Sequence, residues 1–259
     1  MLGNTIKLLL TTIILCSGIT SLFAQSGTYY TIQDLETWTS TQVKYKVNKK
    51  LDFAFEEQLR LKDNARNIDQ YFSEITANFN LSKKFNLGLG SRYIKENDNI
   101  GKKQGYETHF RWNADLGFKH EIKNLDLKYR LSYQSKNELN ITKAEGDTAQ
   151  NTLRFKIGAG YNIKNWKFDP KLSAEVFNLR NNNEGLNRVR YTVGTDYNFK
   201  NAGELGAYYR MEKELTGVFR KTTNIIGIQY VYTIKSKKYD CKNLEIFSTS
   251  SNKHFIIFL

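Results

Sequence analysis

The sequence predicts an all-β fold, an antiparallel transmembrane β-barrel of 10–12 strands. The first observation is that apolar and polar residues alternate with period two in runs longer than the average strand of about 5 or 6 residues. The second is that short turns alternate with longer polar loops between these runs, as in outer-membrane barrels. The third is that there are eleven such runs. About eight strands already form a barrel whose interior side chains can fill, so eleven are enough to close a wider barrel.

The clearest alternating run covers residues 106–122. One face is mostly apolar and includes Phe110 and Leu116, whereas the other face is polar and includes Arg111 and Asp115. Such a run is typical of a strand with two different environments. The same pattern predicts strands over 37–47, 50–62, 70–82, 84–96, 106–122, 124–136, 151–163, 165–177, 188–199, 202–213 and 223–235.

The connections between the runs are of two kinds. Short turns are predicted at 48–49, 83–84, 123–124, 164–165 and 200–201, and longer loops at 63–69, 97–105, 137–150, 179–187 and 214–222. If the short turns are periplasmic, an ascending strand is missing before residue 37. A strand over 28–33 would give twelve strands; the alternative is an N-terminal segment that threads the lumen.

The width of the barrel predicts which face points outward. An apolar lining would leave a void in a barrel of eleven or twelve strands, so the polar face is expected to line a wet lumen and the apolar face to meet lipid. Aromatic residues form two groups that match interfacial girdles; the alternative is a set of core aromatics in a soluble β-sandwich. The first group, near the short turns, is Tyr45, Phe53, Phe79, Phe85, Phe118, Tyr161, Trp166, Phe168, Tyr197 and Phe199, and the second, near the long loops, is Tyr71, Tyr93, Tyr106, Tyr133 and Tyr191.

The N-terminus has the features of a cleaved export signal. Lys7 precedes an apolar stretch over 8–16, and a cleavage site lies before Gln25. We therefore expect a signal peptide at 1–24, a barrel within 25–235, and a C-terminal extension at 236–259 whose sequence has no deciding period. The expected location is the outer membrane of a Gram-negative cell. After cleavage only Cys241 remains, which excludes an intrachain disulfide.

The composition excludes several classes of protein. One proline and 35 aromatic residues argue against a Pro-rich or disordered chain. A mean hydropathy of −0.57 leaves no room for a bundle of membrane helices. The formal charge of +13 favours an anionic partner. Nucleic acid is excluded as that partner, because the basic residues are spread over every strand without a recognised motif.

Several strand segments resemble the DUF2490 family of predicted outer-membrane barrels, which is frequent in Bacteroidetes. The similar segments are 38–40, 56–63, 88–94, 129–137 and 222–227, and the resemblance covers about 36–235. It implies the barrel fold but no activity, and no functional residue is transferred from it. Gly227, Tyr230 and Tyr232 also resemble the last-strand signal that the barrel-assembly machinery reads, so this machinery is an expected partner during biogenesis.

Function is expected to reside in the polar residues of the lumen. The acidic members are Glu56, Glu74, Glu107, Asp115, Asp126, Asp169, Glu175, Asp196, Glu204 and Glu212. The basic members Lys128, Lys156 and Lys171 join eight arginines, here called the lumen arginines: Arg60, Arg92, Arg111, Arg130, Arg154, Arg188, Arg190 and Arg210. Two interpretations remain open, a salt-bridge lattice that closes a structural barrel and a basic track that conducts small anionic solutes.

No enzyme, metal site or cofactor site is predicted. His109 is the only histidine expected in the lumen, and no nucleophile with suitable spacing accompanies it, so an outer-membrane hydrolase is disfavoured. The glycine pairs in 88–90 and 158–160 lie inside strands without a following helix, and are expected either to let the strand bend or to leave room for long opposing side chains. Pro170 predicts a β-bulge.

The sequence thus predicts an outer-membrane barrel of unknown physiological role that forms a narrow, weakly anion-selective pore. The alternatives are a closed structural barrel and a surface-binding barrel that acts through its long loops. Expected partners are outer-membrane lipid, lipopolysaccharide and small anionic solutes.

Overall fold

The computed structural model describes residues 31–98, 105–141, 149–164, 166–180, 185–199, 202–217 and 219–236. The predicted signal peptide and nearly all of the predicted C-terminal extension lie outside these ranges. Over the described ranges there is no helix long and apolar enough to cross a membrane. The strands are β1 (Thr31–Lys46), β2 (Leu51–Lys62), β3 (Asn67–Asn80), β4 (Phe85–Asp98), β5 (Gly105–Ile122), β6 (Leu125–Glu138), β7 (Gln150–Tyr161), β8 (Asp169–Leu179), β9 (Gly185–Phe199), β10 (Gly203–Glu214) and β11 (Arg220–Lys235).

The strands form one closed barrel in chain order, so the predicted all-β barrel of 10–12 strands is confirmed with eleven in the described part of the chain. Each strand pairs antiparallel with the next, but β1 and β11 close the ring in parallel, from Thr31 opposite Arg220 to Lys46 opposite Lys235. Because successive strands alternate in direction and their number is odd, the first and last strands point the same way and pair in parallel. The twelve-strand alternative is wrong, because residues 31–33 open β1 itself; residues 28–30 lie outside the described ranges.

The predicted loop over 63–69 is a tight four-residue turn between β2 and β3. Asp63, Asn64 and Ala65 all have positive φ angles, of 57°, 59° and 61°. The Asp34 carboxylate accepts hydrogen bonds from the backbone N–H groups of Asp63 and Asn64, at 3.4 and 3.1 Å, which fixes this unusual backbone. The connection between β7 and β8 was predicted to be a short turn but is longer. At its end, the carboxylate of Asp169, the first residue of β8, accepts a hydrogen bond from the backbone N–H of Ile163.

The bulge predicted at Pro170 is absent, since the pairing with β9 runs without a shift through Pro170 and its partner Thr195. Pairing between β7 and β8 stops at Lys171, so Pro170 lies at the start of the strand, where its missing N–H costs nothing. Within the described strands, the register shifts instead at Arg60/Leu61 and at Phe177/Asn178.

The two faces of the wall differ as the alternation predicts. Large apolar side chains cover the outside, and Leu89 is 63% exposed there. Outward aromatic rings form contacting groups near the short turns, including Phe85 with Phe118 at 4.9 Å and Tyr197 with Phe199 at 4.6 Å between centroids. The buried side of the wall is mainly polar. It contains a small apolar core of Trp38, Ala54, Phe72, Ile94, Phe177 and Ile225.

Candidate functional site: the charged lumen

The lumen contains two cavities. The larger, of about 840 Å³, lies toward the ends of the strands that the longer loops join, and all eight lumen arginines line it. The smaller, of about 500 Å³, lies toward the short turns. Among the described residues, eleven Lys and Arg and nine Asp and Glu line the larger cavity, which therefore carries both signs of charge with a small basic excess.

Glu175 is the centre of an ion-pair cluster in the larger cavity. Its Oε1 lies 2.7 Å from Nη2 of Arg154 and 3.1 Å from Nη2 of Arg130, while its Oε2 lies 3.3 Å from Nη1 of Arg190. The side chain is 2% exposed. These contacts join four successive strands, β6 to β9, through one carboxylate.

Two further carboxylates hold most of the remaining lumen arginines. Glu212 pairs with Arg188 at 3.2 Å and with Arg190 at 2.8 Å. Glu74 pairs with Arg92 and, at 3.1 Å, with Arg111. In the part of the chain that the structure describes, Arg60 and Arg210 have no such ion pair. Arg60 donates from Nε to Gln58 at 2.8 Å, and Arg210 donates from Nε to Thr192 at 3.1 Å.

Buried aromatic rings support these guanidinium groups, a feature that the sequence analysis missed. Cζ of Arg60 lies 3.6 Å from the ring centroid of Trp38, and Cζ of Arg210 lies 4.8 Å from the same centroid. Phe72 is flanked by Arg60 and Arg92, and Phe177 by Arg154, Arg188 and Arg190. Such cation–π contacts are strongest where water is excluded. The sequence contains a signal for these contacts. Each ring is an even number of positions away from the polar residues of its strand and so shares their inward face, as Trp38 does with Glu36 and Ser40.

The two cavities meet at a ring of side chains that line both: Arg130, Lys156, Tyr208, Arg210 and Gln229. Here this ring is called the neck. Three of its members are basic, and none of the described residues common to both cavities is acidic.

Comparison with known proteins places the chain in a family. The model of a family described as "Protein of unknown function (DUF2490)" matches residues 35–217, which extend from β1 to the end of β10 and into the following loop. The chain belongs to DUF2490. No curated protein matches it. The resemblance inferred from the strand segments is therefore confirmed.

Glycines shape the lumen of this DUF2490 barrel. A Cβ on Gly90 would lie 2.7 Å from Oδ1 of Asn113, and one on Gly227 would overlap the Tyr208 ring, so each glycine makes room for a neighbouring side chain. This confirms one of the two predicted reasons, room for side chains, in the 88–90 segment. In the 158–160 segment the nearest atoms to such a Cβ are 3.7 Å away or more, which is ordinary contact.

His109 lies in the lumen of the DUF2490 barrel as expected, near the end that the longer loops join. Its Nε2 is 3.4 Å from Oε2 of Glu107 and 3.7 Å from Oε2 of Glu96. Two carboxylates thus face one imidazole, which is an arrangement for hydrogen bonding. Over the described ranges, no group of three or more His, Cys, Asp or Glu is placed to hold a metal ion.

Proposed function

We propose that the protein is a non-enzymatic outer-membrane β-barrel whose lumen is a narrow, weakly anion-selective pore. The observation that carries the proposal is a wall that is apolar outside and charged inside. Soluble monomers seldom expose continuous apolar patches above a few hundred Å², because water penalises them. Here every strand has exposed outward side chains of Leu, Ile, Val, Phe or Tyr, which fits a lipid environment.

The aromatic girdles and the export signal fit the same location. Rings near both ends of the strands would lie at the two membrane interfaces. In this proposal, residues 1–24 direct export, the barrel-assembly machinery inserts the chain, and outer-membrane lipid and lipopolysaccharide surround the wall.

The preference for anions rests on the basic side chains of the larger cavity and of the neck. Rings of Arg and Lys favour anions in pores, and nearby carboxylates reduce the preference. Eleven bases against nine acids in the larger cavity therefore support weak rather than strict selectivity. The long arginine side chains narrow the path, so the conductance is expected to be small.

A closed structural barrel is the second candidate, and the Glu175 cluster favours it. One carboxylate held by three arginines from β6, β7 and β9 ties four adjacent strands of the wall together. A surface-binding role through the long loops is the third alternative, and it depends on segments outside the described ranges.

Bilayer conductance of the refolded mature chain tests the proposal. In a salt gradient we expect small steps with a reversal potential biased toward the anion. Arg60→Gln removes a lumen charge that has no carboxylate partner among the described residues, and should shift the reversal potential toward that of the cation. Lys213→Gln, at an exposed position on β10, is the matched control and should leave it unchanged.

A folded, heat-modifiable protein that gives no current would contradict the pore and leave the closed barrel. Failure to float with lipid vesicles after refolding would contradict the membrane location itself.

A further inference from the structure

We propose that the neck is a binding site for a dianionic oxoanion of the phosphate class, held by Lys156, Arg210 and Arg130. This inference deepens the proposed function, on which it rests for its membrane setting. It starts from the absence of carboxylates among the described residues that line both cavities.

Arg210 is fixed in position without being neutralised. Its guanidinium lies between two rings, with Cζ 4.8 Å from the centroid of Trp38 and 4.6 Å from that of Tyr208. Trp38 is itself held by Glu36, whose Oε2 accepts the indole N–H at 2.9 Å. Among the described residues, Arg210 donates a hydrogen bond from Nε, to Thr192, and none from its two terminal nitrogens. The two terminal nitrogens are left as a fork that suits an oxoanion.

Lys156 is basic and also lacks an ion pair within the described part of the chain. Its cross-strand neighbour is Glu175, but that carboxylate is already shared by three arginines. Arg130, the register partner of Lys156 on β6, repels it, whereas Glu175 attracts it from β8. A dianion at the neck would relieve this repulsion.

Arg130 completes the site from the side of β6. Its Nη2 lies 3.1 Å from Glu175, while its buried Nε has no hydrogen-bond partner among the described residues. A buried donor without a partner is costly, and an oxoanion supplies acceptors that a halide lacks in number and geometry.

Four acids among the described residues line the smaller cavity: Asp126, Asp169, Asp196 and Glu204. Asp196 pairs with Lys171, and Asp169 accepts the backbone N–H of Ile163. In the described part of the chain, none of the four forms an ion pair with Arg130, Lys156 or Arg210. An anion moving between the cavities therefore meets three bases at the neck that these acids do not pair with.

The test is calorimetric titration of inorganic phosphate into the folded full-length mature chain in detergent, at constant ionic strength. We expect saturable binding that Arg210→Gln and Lys156→Gln each weaken about tenfold or more, as loss of a charge-assisted contact requires. Lys156→Arg should preserve it. Lys128→Gln is the matched control, because it removes a base of the smaller cavity that lies outside the neck and has no ion pair among the described residues, and it should change affinity little.

Binding that is absent from the folded wild-type chain would overturn the site. Equal weakening by Lys128→Gln and Arg210→Gln would also overturn it, since bulk charge would then explain the affinity. The proposed function fails separately: phosphate binding in detergent with a silent bilayer removes the pore and keeps the site, whereas conductance without phosphate binding does the reverse. Circular dichroism and heat modifiability establish that each variant has folded.

Discussion

At the scale of single residues, Glu175 matters most for the charged lumen. It is a strand residue with one carboxylate and three arginine partners, and it is almost fully buried. A buried ion pair pays a large desolvation cost, which additional hydrogen bonds offset. Removing the carboxylate would leave three guanidiniums facing each other, so position 175 is under stronger physical constraint than any one of its partners.

The Tyr208 ring and Gly227 provide a residue-scale prediction. Gly227→Ala should lower the free energy of unfolding by about 1–3 kcal/mol, because the new methyl group overlaps the ring and packed interiors resist added volume. Urea titration of the protein refolded into lipid vesicles would measure this. Combining Gly227→Ala with Tyr208→Ser should restore much of the loss.

Gly206→Ala is the control for that experiment. It lies on the same face of β10 as Tyr208, and its Cβ would meet its nearest neighbour, Oδ1 of Asp196, at an ordinary 3.4 Å. We expect no loss, or a gain of about 0.4–1 kcal/mol from the smaller entropy of the unfolded chain. If both alanines cost the same, strand propensity rather than the Tyr208 ring would explain the glycines.

At the scale of strands, the parallel seam between β1 and β11 is the distinctive element. Lys221 of β11 lies 2.9 Å from Oδ2 of Asp34 and 3.4 Å from Oε1 of Glu36, both on β1. These two carboxylates also hold the left-handed turn after β2 and the indole of Trp38. One lysine therefore connects the closure of the ring to the aromatic support of the neck.

Lys221→Met tests the seam. It leaves two largely buried carboxylates without their common partner, so we expect a loss of about 1–3 kcal/mol in the free energy of unfolding. Lys213→Met, an exposed lysine opposite Thr222 on the neighbouring strand, should change it by less than about 0.5 kcal/mol. Thermal and urea unfolding of both variants in vesicles supply the comparison. Similar losses would mean that the seam gains nothing from these ion pairs.

The strands were predictable from the sequence wherever the two faces differ in polarity. β5 was predicted over 106–122 and is found at Gly105–Ile122. The start of β1 was missed by six residues, because the alternation fails there: Ile32 has the inward parity of Asp34 and Glu36, and Gln33 has the outward parity of Leu35. Parallel closure was also missed, since alternation in β1 and in β11 contains no information about which strand lies beside it.

The candidate site was predictable in part for the same reason. Alternate side chains of a strand share a face, so alternation alone predicts that all eight lumen arginines lie on the inner face of the barrel. Their partners do not follow, because alternation gives neither the register between strands nor the side-chain conformation. Glu175 binds Arg190, its register partner on β9, and also Arg130 of β6, two strands from its own.

At the scale of the whole molecule, the outward apolar face and the inward polar face can be compared at neighbouring residues. Leu172 is 59% exposed on the outside of β8, and Ser173 lines the smaller cavity. If lipid surrounds the wall, Leu172→Arg should cost up to about 2–4 kcal/mol, depending on its depth in the bilayer. Ser173→Arg should cost much less, because the cavity is polar and has space.

Refolding titrations in vesicles measure both variants of this pair. A cost that is equal at the two positions, or greater at Ser173, would show that the outward face is not in lipid.

The parallel seam also determines where the chain enters and leaves the barrel. Thr31 and Arg220 begin their strands at one rim, and Lys46 and Lys235 end them at the other. The first strand therefore begins at one rim and the last strand ends at the other. In a barrel with an even number of strands, these two points lie at the same rim. A circular permutant that joins these two points would need a linker as long as the wall is high, comparable to the 16 residues of β1, where a short turn serves an even barrel. Tags fused beside the two strands would in turn lie at opposite rims of the barrel.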